Sequence, residues 1–154
     1  MPLMQPFEEE ELFDKLVDYY HRIHEDVRFS KRVETLSLQQ MGEVWYTYPG
    51  EQAAATFEAV VTQVKKAVNH GYDTPIILLR KAGRDILVDG HRRLRAAWEL
   101  GVPWKALVMV PDRDKELGIE KQVLGQVKDL WRPGEPFSPK RMLAMPAERQ
   151  WGSE

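Results

Sequence analysis

Apolar residues recur at helical spacing from about residue 7 to 29, with Leu12, Leu16, Tyr19, Tyr20, Ile23 and Val27 marking one face. Pro6 precedes this run, and Glu8, Glu9, Glu10 and Glu11 fill its first turn, where carboxylates suit the helix dipole. The acid run reads as a capped, solvated helix start. The pattern then changes. Between 33 and 48, Val33, Thr35, Val44, Trp45, Tyr46, Thr47 and Tyr48 predict one or two strands, ended by the turn pair Pro49 and Gly50. A second helix is predicted over about 53–69, with Phe57, Val60, Val61, Val64 and Val68 on one face and Gly71 as its stop.

The centre has the strongest pattern. PIILLR (75–80), a KAGRD turn, ILVD (86–89), a short helix over about 91–100 stopped by Gly101, and WKALVMV (104–110) ended by Pro111 form a strand, turn, strand, helix, strand unit. Ile119, Val123, Val127 and Trp131 are spaced by four and predict a further helix over 112–131, despite Gly118 and Gly125. Four of the ten prolines fall beyond Arg132, so the tail is expected to be extended. No internal repeat is visible.

Length and charge narrow these elements to one α+β domain over residues 1–154. The 43% hydrophobic share is enough for a packed core, and 22 Lys and Arg against 24 Asp and Glu exclude both a basic nucleic-acid coat and a polyacidic tail. Any phosphate-binding surface must be a local patch. The chain has no cysteine, which excludes thiol catalysis, disulfides and Cys-ligated zinc. The acidic start lacks the basic and apolar regions of a signal peptide, and no stretch approaches the roughly 20 apolar residues of a membrane span. A soluble cytoplasmic protein with no membrane partner is expected. His21 and His24 lie beside Glu25, but no third ligand is signalled; they read as structural residues, and no metal site is expected in the chain.

The candidate chemistry lies in ILVDGHRRLRAAWELG, where a strand leads through Asp89, Gly90 and His91 into a helix. A helix start leaves backbone N–H groups without partners, a glycine lets a ligand approach the backbone, and arginines supply forked donors to phosphate oxygens. From 80 to 95, Arg80, Lys81, Arg84, Arg92, Arg93 and Arg95 stand against Asp85 and Asp89, a local excess of four positive charges. The junction is suited to an anion; a solvated arginine-rich helix, with Asp89 capping it, is the plainer alternative.

The stretch GHRRLRAAWELG resembles the second box of the ParB N-terminal domain, Gly-Glu-Arg-Arg-x-Arg-Ala. Gly90, Arg92, Arg93, Arg95 and Ala96 match, and His91 replaces the Glu. The element order over roughly 53–111 is similar to the ParB/sulfiredoxin fold, a small mixed sheet with flanking helices. Sulfiredoxins act through a Cys that this chain lacks. ParB partition proteins bind CTP here and operator DNA with a helix-turn-helix further on, for which too little chain follows residue 111.

The motifs are more similar to those of the free L-serine kinases. Their LIVDGHHR is matched by ILVDGHRR at Asp89, Gly90, His91 and Arg93, and their Pro-His-Glu-Gln by Pro49-Gly50-Glu51-Gln52. Phe137-Ser138-Pro139-Lys140 resembles their Tyr-Ser-Pro-Lys, although RMLAM then stands where they have Thr-Thr-Arg-His. The resemblance implies phosphoryl transfer from ADP or ATP, with Mg2+, to a small hydroxyl compound such as free serine. Glu51 and Asp89 would be catalytic, Gly90, His91, Arg92, Arg93 and Arg95 would hold phosphate, and Ser138 and Lys140 would lie on the substrate side. The rival is a nucleotide-gated binding module that takes CTP or another nucleotide. A nuclease is least supported, since only Asp85, Asp89 and Glu51 are available for metals. No sequence-specific DNA partner is expected.

Overall fold

The computed structural model describes residues 2–131, which fold around a six-stranded mixed sheet. Helix α1 (Pro6–Ile23) starts with Pro6 in its first turn, and the Glu8 carboxylate accepts from the Gln5 backbone N–H at 2.9 Å. It ends six residues before the expected boundary because Val27 is buried and Phe29 opens strand β1 (Phe29–Leu36), which pairs antiparallel with β5 (Trp104–Pro111) along its whole length.

The segment 33–48 is interrupted by a helix. Ser37 caps α2 (Leu38–Glu43): its hydroxyl accepts from the Gln40 N–H, and the Gln40 side chain accepts from the Ser37 N–H. Strand β2 (Trp45–Thr47) follows. The second helical stretch is broken into α3 (Glu51–Ala55) and α4 (Phe57–Val68), the latter burying Phe57, Val61 and Val64. The central unit forms as expected: β3 (Ile76–Lys81), β4 (Arg84–Asp89), α5 (His91–Leu100) with left-handed Gly101 after it, then β5.

The sheet order is β1-β5-β3-β4-β2-β6, with β5 parallel to β3, β4 antiparallel to β3, and β2 parallel to β4. Both faces are covered, which explains the unbroken apolar run of β3. Ile76 and Leu78 join the cluster beneath α2, α4 and α5, while Ile77 and Leu79 join Phe13 and Tyr20 of α1.

The helix expected over 112–131 does not form. A loop leads to a 3-10 turn (Ile119–Gln122), strand β6 (Val123–Gln126) and a single turn α6 (Val127–Leu130). Gly118 and Gly125 have φ of +101° and +153°, outside the helical region, and β2 gains an antiparallel partner in β6. The preceding loop is pinned by the buried pair Lys81 and Glu120. Burial alone would raise the Glu120 carboxyl, but Lys81 and nearby backbone N–H groups hold it below its ordinary range. His21 is structural as expected, its Nδ1 donating to the Val27 carbonyl at 2.9 Å. No helix among the described residues is long and apolar enough to cross a membrane.

Candidate functional site

Strands β2 and β4 run parallel, with Trp45 opposite Ile86, so both finish at the same end of the sheet. The segments that follow them, 48–50 and 89–90, therefore flank one crevice, at the carboxyl ends of parallel strands where α/β folds hold ligands. A cavity of about 470 Å3 opens there, within the range of small-molecule sites. Its walls include Leu3 and Met4, Thr47 to Pro49, Val60 and Val64 of α4, Tyr72, and Val88 to Arg93. Met4 is tied in by its carbonyl, which accepts from the Tyr72 and Thr74 hydroxyls at 2.7 Å each.

The turn into α5 requires glycine. Gly90 has φ of +100°, and a Cβ there would lie 2.6 Å from Ile76 Cγ2. Gly90 also caps α5 with no side chain, so Asp89 does not act as its cap. The first intrahelical bond runs from Leu94 N–H to the Gly90 carbonyl at 2.9 Å, which leaves the N–H groups of His91, Arg92 and Arg93 without intrahelical acceptors. Arg92 is half-buried in the cavity wall and makes no ion pair or side-chain hydrogen bond with a described residue. The helix dipole thus coincides with N–H groups and a guanidinium that have no acceptor among the described residues.

Arg93, expected to hold phosphate, is turned inward. It is 6% exposed and donates to the Pro75 carbonyl at 2.5 Å, to Glu9 Oε2 at 2.9 Å and to Asp89 Oδ2 at 2.9 Å. Glu9, read from the sequence as part of a solvated helix start, is fully buried under the turn. Burial, opposed by Arg93 and reinforced by Asp89, pushes its carboxyl up to about 8. Two carboxyl groups thus face one guanidinium, and burial favours the protonated form of Glu9. Nothing local marks Glu9 out from its three acidic neighbours; the signal is its place on the Phe13 and Tyr20 side of α1.

Arg95 belongs elsewhere. It is 3% exposed, contacts Glu99 at 2.6 Å and lies 4.9 Å above the Trp131 ring, and it forms no part of the cavity wall. His91 does line the cavity, with Nε2 2.9 Å from the Thr47 hydroxyl oxygen and a backbone carbonyl that accepts from the Tyr46 hydroxyl at 3.0 Å. Burial pushes its pKa down to about 4, so the ring is neutral at pH 7 and is no cationic phosphate ligand. Glu51 opens α3, exposed, between the lining residues Pro49 and Ala53. The fold brings it to the end of the sheet that carries the Gly90 turn, although it is not itself a wall of the cavity. Ser138 and Lys140 lie outside the described residues. No group of three metal-ligating side chains occurs among the described residues.

No family model matches this sequence. The chain is 50% identical over 54 residues to the uncharacterized protein MJ0188 of Methanocaldococcus jannaschii, a match that takes in 33% of this chain and 20% of that protein. The similarity spans about a fifth of the length of that relative, whose name states no activity.

Proposed function

We propose that this protein binds a nucleotide by its phosphates at the Gly90 turn and transfers a phosphoryl group to a small hydroxyl compound, with free L-serine as the acceptor suggested by the resemblance to serine kinases of ParB/sulfiredoxin type. The observation that carries the reading is the convergence on one cavity of α5 N–H groups and an Arg92 side chain that have no partner among the described residues. Of the arginines expected to hold phosphate, Arg92 would do so from the cavity wall, while Arg93, bonded to Glu9, Asp89 and the Pro75 carbonyl, would support the turn. Mg2+ would arrive with the nucleotide, held by phosphate oxygens, since the described side chains offer no cage. Glu51, at the same end of the sheet, would accept the acceptor hydroxyl's proton, because a neutral alcohol is a poor nucleophile.

A second reading is a nucleotide-gated binding module with the same phosphate site and no acceptor. It is favoured by the exposure of Glu51 outside the cavity wall. Titration of ADP, ATP and CTP with Mg2+, followed by amide shifts, tests the shared claim; an anion bound only away from His91 and Arg92 overturns both readings. Glu51→Gln then separates them. In a kinase it keeps nucleotide affinity and lowers transfer by roughly 100-fold to 10,000-fold. A module has no acceptor-dependent turnover to lose. Neither reading includes sequence-specific duplex DNA binding, and nanomolar specific binding at physiological salt would revive the partition role.

A further inference from the structure

Thr47 and His91 meet at the cavity in a geometry whose protons can be assigned by counting. The Thr47 hydroxyl oxygen lies 2.8 Å from the Leu87 carbonyl oxygen and 2.9 Å from His91 Nε2. A carbonyl carries no proton and a hydroxyl carries one. The Thr47 proton therefore points at Leu87, since otherwise two acceptor oxygens would face each other with nothing between them. His91 Nε2 must then carry the proton that points at Thr47. Thr47 is 2% exposed, so water offers no alternative partner.

The ring is neutral, because burial drives its pKa down against the opposing pull of Asp89, and Arg92 and Arg93 add to the drop. A neutral imidazole with Nε2–H has a bare lone pair on Nδ1. That nitrogen has no hydrogen-bond partner among the described residues, in a residue that lines the cavity. The ring cannot turn freely. Tyr46 packs edge-on against it at 5.2 Å between centroids.

We infer that His91 is a specificity-determining residue and Thr47 its positioning residue, the pair presenting a hydrogen-bond acceptor beside the anion-binding N–H groups. The site thereby selects ligands that carry an O–H or N–H donor next to their anionic group. The selectivity rests on the phosphate-site reading above; the tautomer assignment does not. No proton is transferred, and the Nδ1 lone pair repels a phosphate oxygen, which places the anion at the backbone N–H groups and Arg92 instead.

Long-range proton–nitrogen correlation spectra of the full chain, labelled with 15N-histidine, read the tautomer directly. His91 is expected as the neutral Nε2–H form from pH 5.5 to 8. Thr47→Val should lose that bias and Thr47→Ser should retain it. An imidazolium or an Nδ1–H form in the wild type, or an unchanged tautomer in Thr47→Val, overturns the assignment. Calorimetry then compares glycerol 1-phosphate with propyl phosphate. The wild type should bind the hydroxylated ester up to about tenfold more tightly, the scale of one hydrogen bond. His91→Phe should bind the two esters equally, and Thr47→Val should discriminate between them less than the wild type. Equal affinities in the wild type overturn the selectivity. Failure to bind either ester or inorganic phosphate would instead remove the phosphate site, a distinguishable result.

Discussion

The two ends of strand β4 each carry a cavity and an arginine cluster, yet only one has charge to spare. At the hairpin end, a cavity of about 520 Å3 is lined by Glu34, Arg80, Arg84 and Asp85. Arg80 is held there by both oxygens of Glu34, at 2.7 and 2.8 Å, and by Asp85 at 2.8 Å, and the two carboxylates raise its pKa further. At the Gly90 end, Arg93 is satisfied in the same way, but Arg92 and the N–H groups of the α5 start have no acceptor among the described residues. Cavity volume and local basic composition are similar. What separates the two ends is whether the fold has already paired its donors.

The strongest test compares the glycines flanking β4. Gly83 and Gly90 both have positive φ, of +75° and +100°, but an added Cβ meets nothing within 4 Å at Gly83 and clashes with Ile76 at Gly90. Gly90→Ala should cost about 3 to 5 kcal/mol, from backbone strain together with overpacking. Gly83→Ala should cost about 1 kcal/mol, the left-handed penalty alone. Equal losses in denaturant melts would remove the close approach from the account of the turn.

A smaller effect is expected from pH. Glu9 has a folded pKa of about 8 against an ordinary 4.5, so the folded state holds a proton that the unfolded state has lost. Its contribution is full below about pH 4.5 and is lost as pH rises through 8, with a slope of at most about 1.4 kcal/mol per pH unit. His91 acts in the opposite sense, since its folded pKa of about 4 lies below the ordinary 6.5, so stability falls as pH drops from 6.5 to 4. The two slopes offset each other below pH 6.5. Above it the Glu9 slope stands alone, and Glu9→Gln should flatten it in thermal melts from pH 6.5 to 8.5. A slope that survives the substitution would assign it to a group other than Glu9.

A further test separates the arginines. Arg92→Ala should weaken nucleotide or phosphate binding by about 1.5 to 3 kcal/mol and leave the melting temperature nearly unchanged. Arg80→Ala should do the reverse, costing about 1 kcal/mol of stability, as suits a partly exposed ion-pair network, with no loss of anion affinity. A loss of affinity in Arg80→Ala would make the hairpin end a second anion site and erase the contrast.

Local pattern determined much of this molecule. The β3, β4, α5, β5 unit, the α4 face of Phe57, Val61 and Val64, and the open helix start at Gly90 all follow from short-range spacing, because turn geometry and burial on a given face depend on neighbouring residues. The helix that Ser37 and Gln40 cap was not expected, because the β-branched and aromatic residues around it point to strand. Three things depended on the tertiary structure. Ile119, Val123, Val127 and Trp131 have helical spacing, but β2 lacked an edge partner, and pairing with β6 satisfies backbone groups that a glycine-interrupted helix would satisfy less well. Three arginines within four consecutive positions of one helix were assigned different tasks: Arg92 faces the cavity, Arg93 is claimed by Glu9 from 84 residues away, and Arg95 packs on Trp131. The tautomer of His91 was decided by Thr47, on the neighbouring parallel strand. Charge and hydrogen-bond partners of a side chain are set by what packs against it across the chain, and spacing along the sequence carries no record of that contact.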